Sequence, residues 1–212
     1  MKRIILCLTA TMKRINLYVI GILFLFLCSA CREEHIAPVN QLVKDLFCFK
    51  TGSEWVYYDS ISQSTQKMVI TNYEITRWGA VLPEGIGKVY DIAEGIEIDI
   101  AIENSMQSSI RNSKTILTSF LGNKYQDNTA EGNVTTPVEN FSLRIHCDEN
   151  NIFTPSAIYL STYTLNENTY SDVYVFNSKD NIDFYASKHI GFIRCKKDNK
   201  YDFILIEKNV KQ

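Results

Sequence analysis

The side chains best suited to acid–base chemistry are three carboxylates in one alternating stretch. Glu97, Asp99 and Glu103 share a face of the segment Gly95 to Glu103, and isoleucines occupy the other face. Two carboxylates at a defined separation on either side of a sugar can hydrolyse a glycosidic bond. A strand with one wet face accounts for the same alternation without any reaction, and we favour that interpretation. A glycan-active enzyme is therefore the weakest functional hypothesis.

The histidines give little further support for catalysis or metal binding. His146 and His189 lie in predicted strands, with no carboxylate or cysteine at metal-ligand spacing, and His35 lies in a polar stretch nearer the start. The sequence contains no Gly-x-Ser-x-Gly, His-Glu-x-x-His or glycine-rich phosphate loop. We therefore predict no catalytic, metal-binding or cofactor-binding residue, and interpret the protein as non-enzymatic.

The charge balance limits the kinds of partner that the protein can bind. The chain has 22 basic and 24 acidic residues, and the charged residues among the first 30 are all basic (Lys2, Arg3, Lys13 and Arg14). The remaining 182 residues are therefore acidic overall, without a basic cluster. This argues against nucleic acid as a partner, and against attraction to an anionic membrane surface.

The stretch before Cys31 has the order of a secretion signal. Lys13 and Arg14 precede the apolar run Ile15 to Leu27, and the small side chains Ser29 and Ala30 follow. The 16 uncharged residues from Ile15 to Ala30 are fewer than the roughly 20 that a spanning helix needs. The repeat of Met-Lys-Arg-Ile at residues 1–4 and 12–15 indicates Met12 as an alternative start. We predict a signal peptide over residues 1–30.

Cys28-Ser29-Ala30-Cys31 resembles the lipobox of bacterial lipoproteins, with Cys28 where leucine is usual. The resemblance implies cleavage between Ala30 and Cys31, a diacylglyceryl group on the Cys31 thiol and an acyl chain such as palmitate on the new amine. Several acyl chains together give stable membrane attachment. A plain signal peptide and an uncleaved anchor helix are the alternatives.

Residues 31–37 are predicted to be a lipidated tether. Arg32-Glu33-Glu34 resembles a surface-export signal of some Gram-negative lipoproteins, and a solvated linker is the alternative. The inner-membrane retention signal of enteric lipoproteins, an Asp directly after the lipidated cysteine, is absent. We expect an outer-membrane location, on either the periplasmic or the cell-surface face.

Removal of the signal and lipidation of Cys31 would leave three cysteines, Cys48, Cys147 and Cys195. An oxidising envelope permits one disulfide among them. Cys147 and Cys195 are the preferred pair because both lie in predicted strands. Three buried, unreactive thiols are the alternative.

The remaining chain, residues 38–212, reads as one β domain with one short helix. Apolar residues at helical spacing follow Pro38 as far as Phe47, and from Phe49 the period changes to two. Turn-rich polar clusters separate about ten short strands, which predicts an antiparallel meander forming a sandwich or a curled, barrel-like sheet. We expect a hairpin at Gly95 and a long exposed loop, a candidate contact region, from Gly122 to Pro137. Ser105 to Leu121 fits either a helix or a strand.

Two segments resemble uncharacterised bacterial lipoproteins. The first runs from Phe47 to Tyr57 in the pattern aromatic-x-x-Lys-x-Gly-x-x-Trp-x-Tyr, and the second combines Phe184-Tyr185 with Gly191-Phe192-Ile193-Arg194. This resemblance implies no activity. The pair Gly52 and Trp55 has a weaker resemblance to the Gly-x-Trp motif of lipocalins.

The sequence thus favours a lipoprotein that acts by interaction with another protein or as a structural component of the outer membrane. The alternative is a lipocalin-like carrier of a small apolar ligand. Several strand tyrosines suggest a ligand platform, although cross-strand pairing explains them equally well: Tyr57, Tyr58, Tyr159, Tyr163, Tyr170 and Tyr174.

Overall fold

A computed structural model describes residues 34–80, 90–105, 109–121, 124–125, 128–138, 142–178 and 181–211. Contacts divide the chain into two compact units. The first comprises Met1–His35 with Ala80–Asp91, of which few residues are described, and the second comprises Ile36–Gly79 with Ile92–Gln212. The predicted signal peptide, its cleavage position and the lipidation site Cys31 lie outside the described residues.

Strands dominate the described residues. They are β1 (Glu34–Ala37), β2 (Glu54–Asp59), β3 (Ser64–Ala80), β4 (Tyr90–Asn104), β5 (Ser109–Thr118), β6 (Phe120–Leu121), β7 (Lys124–Tyr125), β8 (Ala130–Thr135), β9 (Ser142–Cys147), β10 (Phe153–Thr154), β11 (Ala157–Leu165), β12 (Asn168–Asn177), β13 (Asp183–Ser187), β14 (Gly191–Lys197) and β15 (Tyr201–Asn209). The helix α1 spans Gln41–Phe47. The last four residues of the predicted tether, residues 34–37, form strand β1.

Twelve strands form one sheet in the order β10-β9-β8-β5-β4-β3-β2-β15-β14-β13-β12-β11, and β1 pairs with β4 beside this path. The two strands at the ends of this order, β10 and β11, are separated in the chain by only Pro155 and Ser156. The sheet therefore curls until its first and last strands are neighbours. The prediction of an all-β, barrel-like sheet with one short helix is confirmed.

In strands such as β2 and β9, alternate side chains point into the core. Trp55 and Tyr57 of β2 point inward with 5% and 1% exposure, and Trp55 pairs with Met68 of β3. Four isoleucines of β4, at positions 96, 98, 100 and 102, are buried, whereas Glu97 and Asp99 between them are partly exposed. The half-buried strand predicted for this stretch is therefore present.

The hairpin expected at Gly95 is wrong, because β4 runs through it without a turn. A Cβ at Gly95 would collide with the side chains of Thr76 and Trp78 of β3. The glycine thus marks a close approach of side chains across the sheet, which a sequence pattern cannot distinguish from a turn.

The exposed loop expected from Gly122 to Pro137 is also wrong over its described second half. Residues 130–135 form β8, which lies between β5 and β9 and buries Val134 and Thr135. A Cβ at Gly132 would overlap the backbone oxygen of Ile116, so this glycine permits close strand packing rather than a turn. The ambiguous stretch before this region contains strand β5.

Candidate functional site

Helix α1 is fixed at its start by the buried side chain of Asn40. The Asn40 side-chain oxygen accepts a hydrogen bond from the Val43 amide at 3.3 Å, which caps the helix. Its amide nitrogen donates to Asn128 O at 2.6 Å, to Asp148 O at 3.3 Å and to Asn151 Oδ1 at 3.0 Å. One side chain therefore ties the helix to the segment before β8 and to the β9–β10 turn.

Three further hydrogen bonds hold α1 and the residues before it against other parts of the sheet. Glu94 Oε2 of β4 accepts hydrogen bonds from Lys44 Nζ at 2.5 Å and from the Val39 amide at 2.7 Å. The His189 amide, in the turn between β13 and β14, donates to Asp45 O at 2.7 Å. Because these contacts come from distant parts of the sheet, they fix α1 in place across it.

The two segments with a family resemblance meet beneath α1. Trp55 Nε1 donates to Ile190 O at 2.5 Å, and Tyr57 Oη donates to Phe192 O at 3.0 Å. Gly191 has φ +90°, and a Cβ there would lie 3.2 Å from the ring of Phe49. The glycine and the aromatic residues of both segments therefore build one packed cluster.

The space between α1 and this cluster is small. The cavity lined by Leu46, Phe47, Trp55, Met68 and Phe192, among others, has a volume of about 30 Å³. A drug-sized ligand needs roughly 300–1,000 Å³, whereas a water molecule needs only about 10–15 Å³. The cavity has room for one or two water molecules.

The acidic stripe faces a lysine. Lys114 of β5 pairs in register with Asp99, and its Nζ lies 2.8 Å from Glu97 Oε2 and 3.6 Å from Asp99 Oδ1. The hydrogen bond with Glu97 raises the pKa of Lys114 above its ordinary value. Cross-strand ion pairs of this kind are typical of a solvated strand face, and Glu103 is exposed on the same face of β4.

The remaining candidate side chains stay apart. No group of three or more His, Cys, Asp or Glu residues in the described part of the chain is placed to hold a metal ion. His146 lies in β9, opposite Glu131 of β8, and His189 lies in a turn rather than in the predicted strand.

Cys147 of β9 and Cys195 of β14 are buried, and both are free thiols in the structure, as is Cys48. Burial raises the pKa of Cys48 and of Cys147 to about 12, and that of Cys195 above its ordinary value. Because the thiolate is the reactive form, these sulfurs are poorly nucleophilic at neutral pH.

The predicted tyrosine platform divides into an inner and an outer group. Tyr57 and Tyr170 are buried. Tyr159 of β11 is 52% exposed, pairs with Tyr174 of β12 and donates a hydrogen bond from its hydroxyl to Asp172 Oδ1 at 2.7 Å. Of these two groups, only the outer one, which contains Tyr159, is available to a ligand or partner.

A second surface cluster, which sequence analysis missed, surrounds Arg194 of β14. Its guanidinium donates to both carboxylate oxygens of Asp202 at 2.8 and 2.7 Å and to Tyr163 Oη at 2.9 Å. The rings of Tyr163 and Tyr185 stack with centroids 4.9 Å apart. Arg194 and Tyr185 belong to the second resembling segment, which was the available signal, but their partners are set by the register of the sheet.

Comparison with known proteins gives no relative: no family model, no curated protein and no solved structure matches this chain. Among the residues that the structure describes, no helix has the length and apolar character to cross a membrane. The geometry above is therefore the basis for the functional proposal.

Proposed function

We propose that this protein is a non-enzymatic lipoprotein of the outer membrane that acts by surface interaction with another protein. The observation that carries the proposal is the cavity beneath α1, whose volume of about 30 Å³ leaves no room for a ligand between the helix and the cluster around Trp55. The signal-like stretch and Cys31 support the membrane anchor.

The outside of the sheet has the features of a contact surface. Ile158 and Tyr159 of β11 are 58% and 52% exposed. Aromatic side chains are enriched at protein interfaces because they bury a large area with little loss of conformational freedom. The ion pairs between Lys114 and the acidic stripe favour a solvated face over an enzyme.

The alternative function is a lipocalin-like carrier, which the barrel-like curl of the sheet favours. Entry of a ligand would require α1 to move away and the cluster around Trp55 to repack. Such a movement would break the hydrogen bonds of Asn40 and the ion pair of Lys44 with Glu94.

The membrane anchor is tested by metabolic labelling with an alkyne fatty acid in cells that express the full chain. We expect label on the wild type and on Cys48→Ser, and no label on Cys31→Ser. Cys48 is a matched control because it is the next cysteine along the chain and lies outside the lipobox-like motif. Label retained by Cys31→Ser would overturn the proposed anchor.

The choice between interaction and carriage is tested by ligand content. We expect solvent extraction and mass spectrometry of the purified protein to find no stoichiometric apolar molecule, and a fluorescent fatty acid to show no saturable binding. Saturable binding that Trp55→Phe or Met68→Ala changes would favour the carrier.

A photo-crosslinker at position 159, compared with one at position 112, then identifies the side of the sheet that contacts the partner protein.

A further inference from the structure

Strand β11 is a long sheet edge without the usual protection. β12 is the one strand that pairs with it within the described ranges. Its nine residues, Ala157–Leu165, contain no charge, glycine or proline. Native proteins usually protect a sheet edge with charge, proline, a bulge or a very short strand, because unpaired N–H and C=O groups attract other strands.

The opposite end of the same sheet does have such protection. β10 has only two residues, and Pro155 follows Thr154 directly. A strand this short offers few unpaired backbone groups, and proline has no N–H to donate. Among the described residues, pairing is therefore blocked at β10 and open at β11.

The edge of β11 is accessible from both sides. Ile158 and Tyr159 are neighbours in a strand, so their side chains point to opposite faces, and both are more than half exposed. Ser161, Thr162 and Thr164 are exposed as well. These exposed side chains leave both faces of β11 open to contact with another chain.

We propose that β11 pairs in antiparallel fashion with β11 of a second copy, about a two-fold axis through Ser161. The sequence around this residue, Tyr159-Leu160-Ser161-Thr162-Tyr163, is nearly the same in both directions. The two-fold axis places Tyr159 opposite Tyr163 of the second copy, and Leu160 opposite Thr162. Aromatic pairs and apolar–threonine pairs stabilise antiparallel strands.

This symmetry selects a second copy over other partners. A two-fold axis brings each residue near the axis close to its own counterpart, so a charge there would face a like charge. β11 has none. The small Ser161 at the axis allows the two backbones to reach the normal strand separation of about 4.8 Å. The inference does not depend on the lipid anchor, and it assigns the edge of β11 to a second copy rather than to the proposed partner protein.

The test is cysteine crosslinking of the full chain in membranes of the expressing cells. Ser161→Cys would place two sulfurs across the axis, within the Cα separation of about 4.4–6.8 Å that a disulfide allows. Thr164→Cys is the matched control, exposed on the same strand but about 20 Å from its counterpart at roughly 3.3 Å per residue. The wild type gives the background from Cys48, Cys147 and Cys195.

Mild oxidation should give a dimer with Ser161→Cys and none with Thr164→Cys or the wild type. Adding Thr162→Lys to Ser161→Cys should abolish the dimer, whereas Asn112→Lys on the inner strand β5 should leave it. An absent dimer, equal crosslinking at both positions, or insensitivity to Thr162→Lys would overturn the proposal. A crosslinked product with a different protein at Ser161→Cys would also overturn it and would assign the edge to that protein.

Discussion

Two aromatic regions of this protein differ in how their polar groups are satisfied. Beneath α1, the Trp55 nitrogen and the Tyr57 hydroxyl each donate to a backbone oxygen, and both side chains are buried. On β11, Tyr159 is half exposed and the outer backbone edge has no partner strand in the described chain. The comparison indicates that the first region supplies stability and the second is available for contact.

The largest effect is expected for Trp55→Ala. Removal of a buried indole leaves a cavity next to Phe49 and leaves Ile190 O without its donor, so we expect a loss of about 3–5 kcal/mol in the free energy of unfolding. Urea denaturation followed by circular dichroism measures this loss. Tyr159→Ala on β11 is the control, and an equal loss in both variants would contradict the comparison.

Asn40→Ala should have the next largest effect, about 1–3 kcal/mol, because it removes the helix cap and three donated hydrogen bonds at a buried site. Asn40→Asp keeps a cap acceptor and removes the donors. If Asn40→Asp is as stable as the wild type in thermal unfolding, the cap alone matters and the ties to the neighbouring turns do not.

Asp59 links stability to pH. Burial raises the pKa of its carboxyl, but hydrogen bonds from the Asp202 and Ile61 amides and from Ser62 outweigh burial and lower the pKa below its ordinary value. The carboxylate therefore stabilises the fold above the unfolded pKa of about 3.9, and this contribution is lost as pH falls through the lower folded pKa.

Asp59→Asn should consequently cost about 1–3 kcal/mol at pH 7 and less at pH 3. Urea midpoints at the two pH values give the difference. Asp198→Asn is the control, because Asp198 forms an exposed ion pair with Lys196 that solvent screens, and its loss should change stability little at either pH. A cost for Asp59→Asn that is independent of pH would show that the lost hydrogen bonds, and not the charge, matter.

Thiol reactivity probes the closed interior without changing stability. In residues 36–212 we expect no rapid reaction of the native protein with a thiol reagent at pH 8, and three reactive thiols after unfolding in denaturant. One reactive thiol after unfolding would instead establish a disulfide, for which Cys147 and Cys195 are the pair predicted from the sequence. Rapid labelling of native Cys48 would show that the region at the end of α1 opens.

The smallest effect on stability is expected on β11. Ile158→Ser and Thr162→Lys lie at exposed positions and should change the free energy of unfolding by no more than about 0.5 kcal/mol. A loss above 1 kcal/mol would show that this edge belongs to the structural core.

Sequence patterns predicted the strands of the second half well, because alternation and polar turns coincide there. Short strands separated by turns, as the sequence predicted, follow one another from β11 to β15. Gly95 and Gly132 were misread because each accommodates close packing from another strand, which local sequence does not reveal. The partners of Arg194 and Asn40 depend on residues far away in the chain, so the register of the whole sheet had to be known first.

The sheet order has a consequence for how this chain folds. β2, near the start, pairs along its length with β15, so that Glu54 lies opposite Asn209. Contacts between such distant residues form slowly, because the whole intervening chain must be ordered before they contribute. β2 therefore pairs with β15 only after nearly the entire chain has been synthesised. A protein that ends before Tyr201 would expose the edge of β2 and the aromatic core behind it.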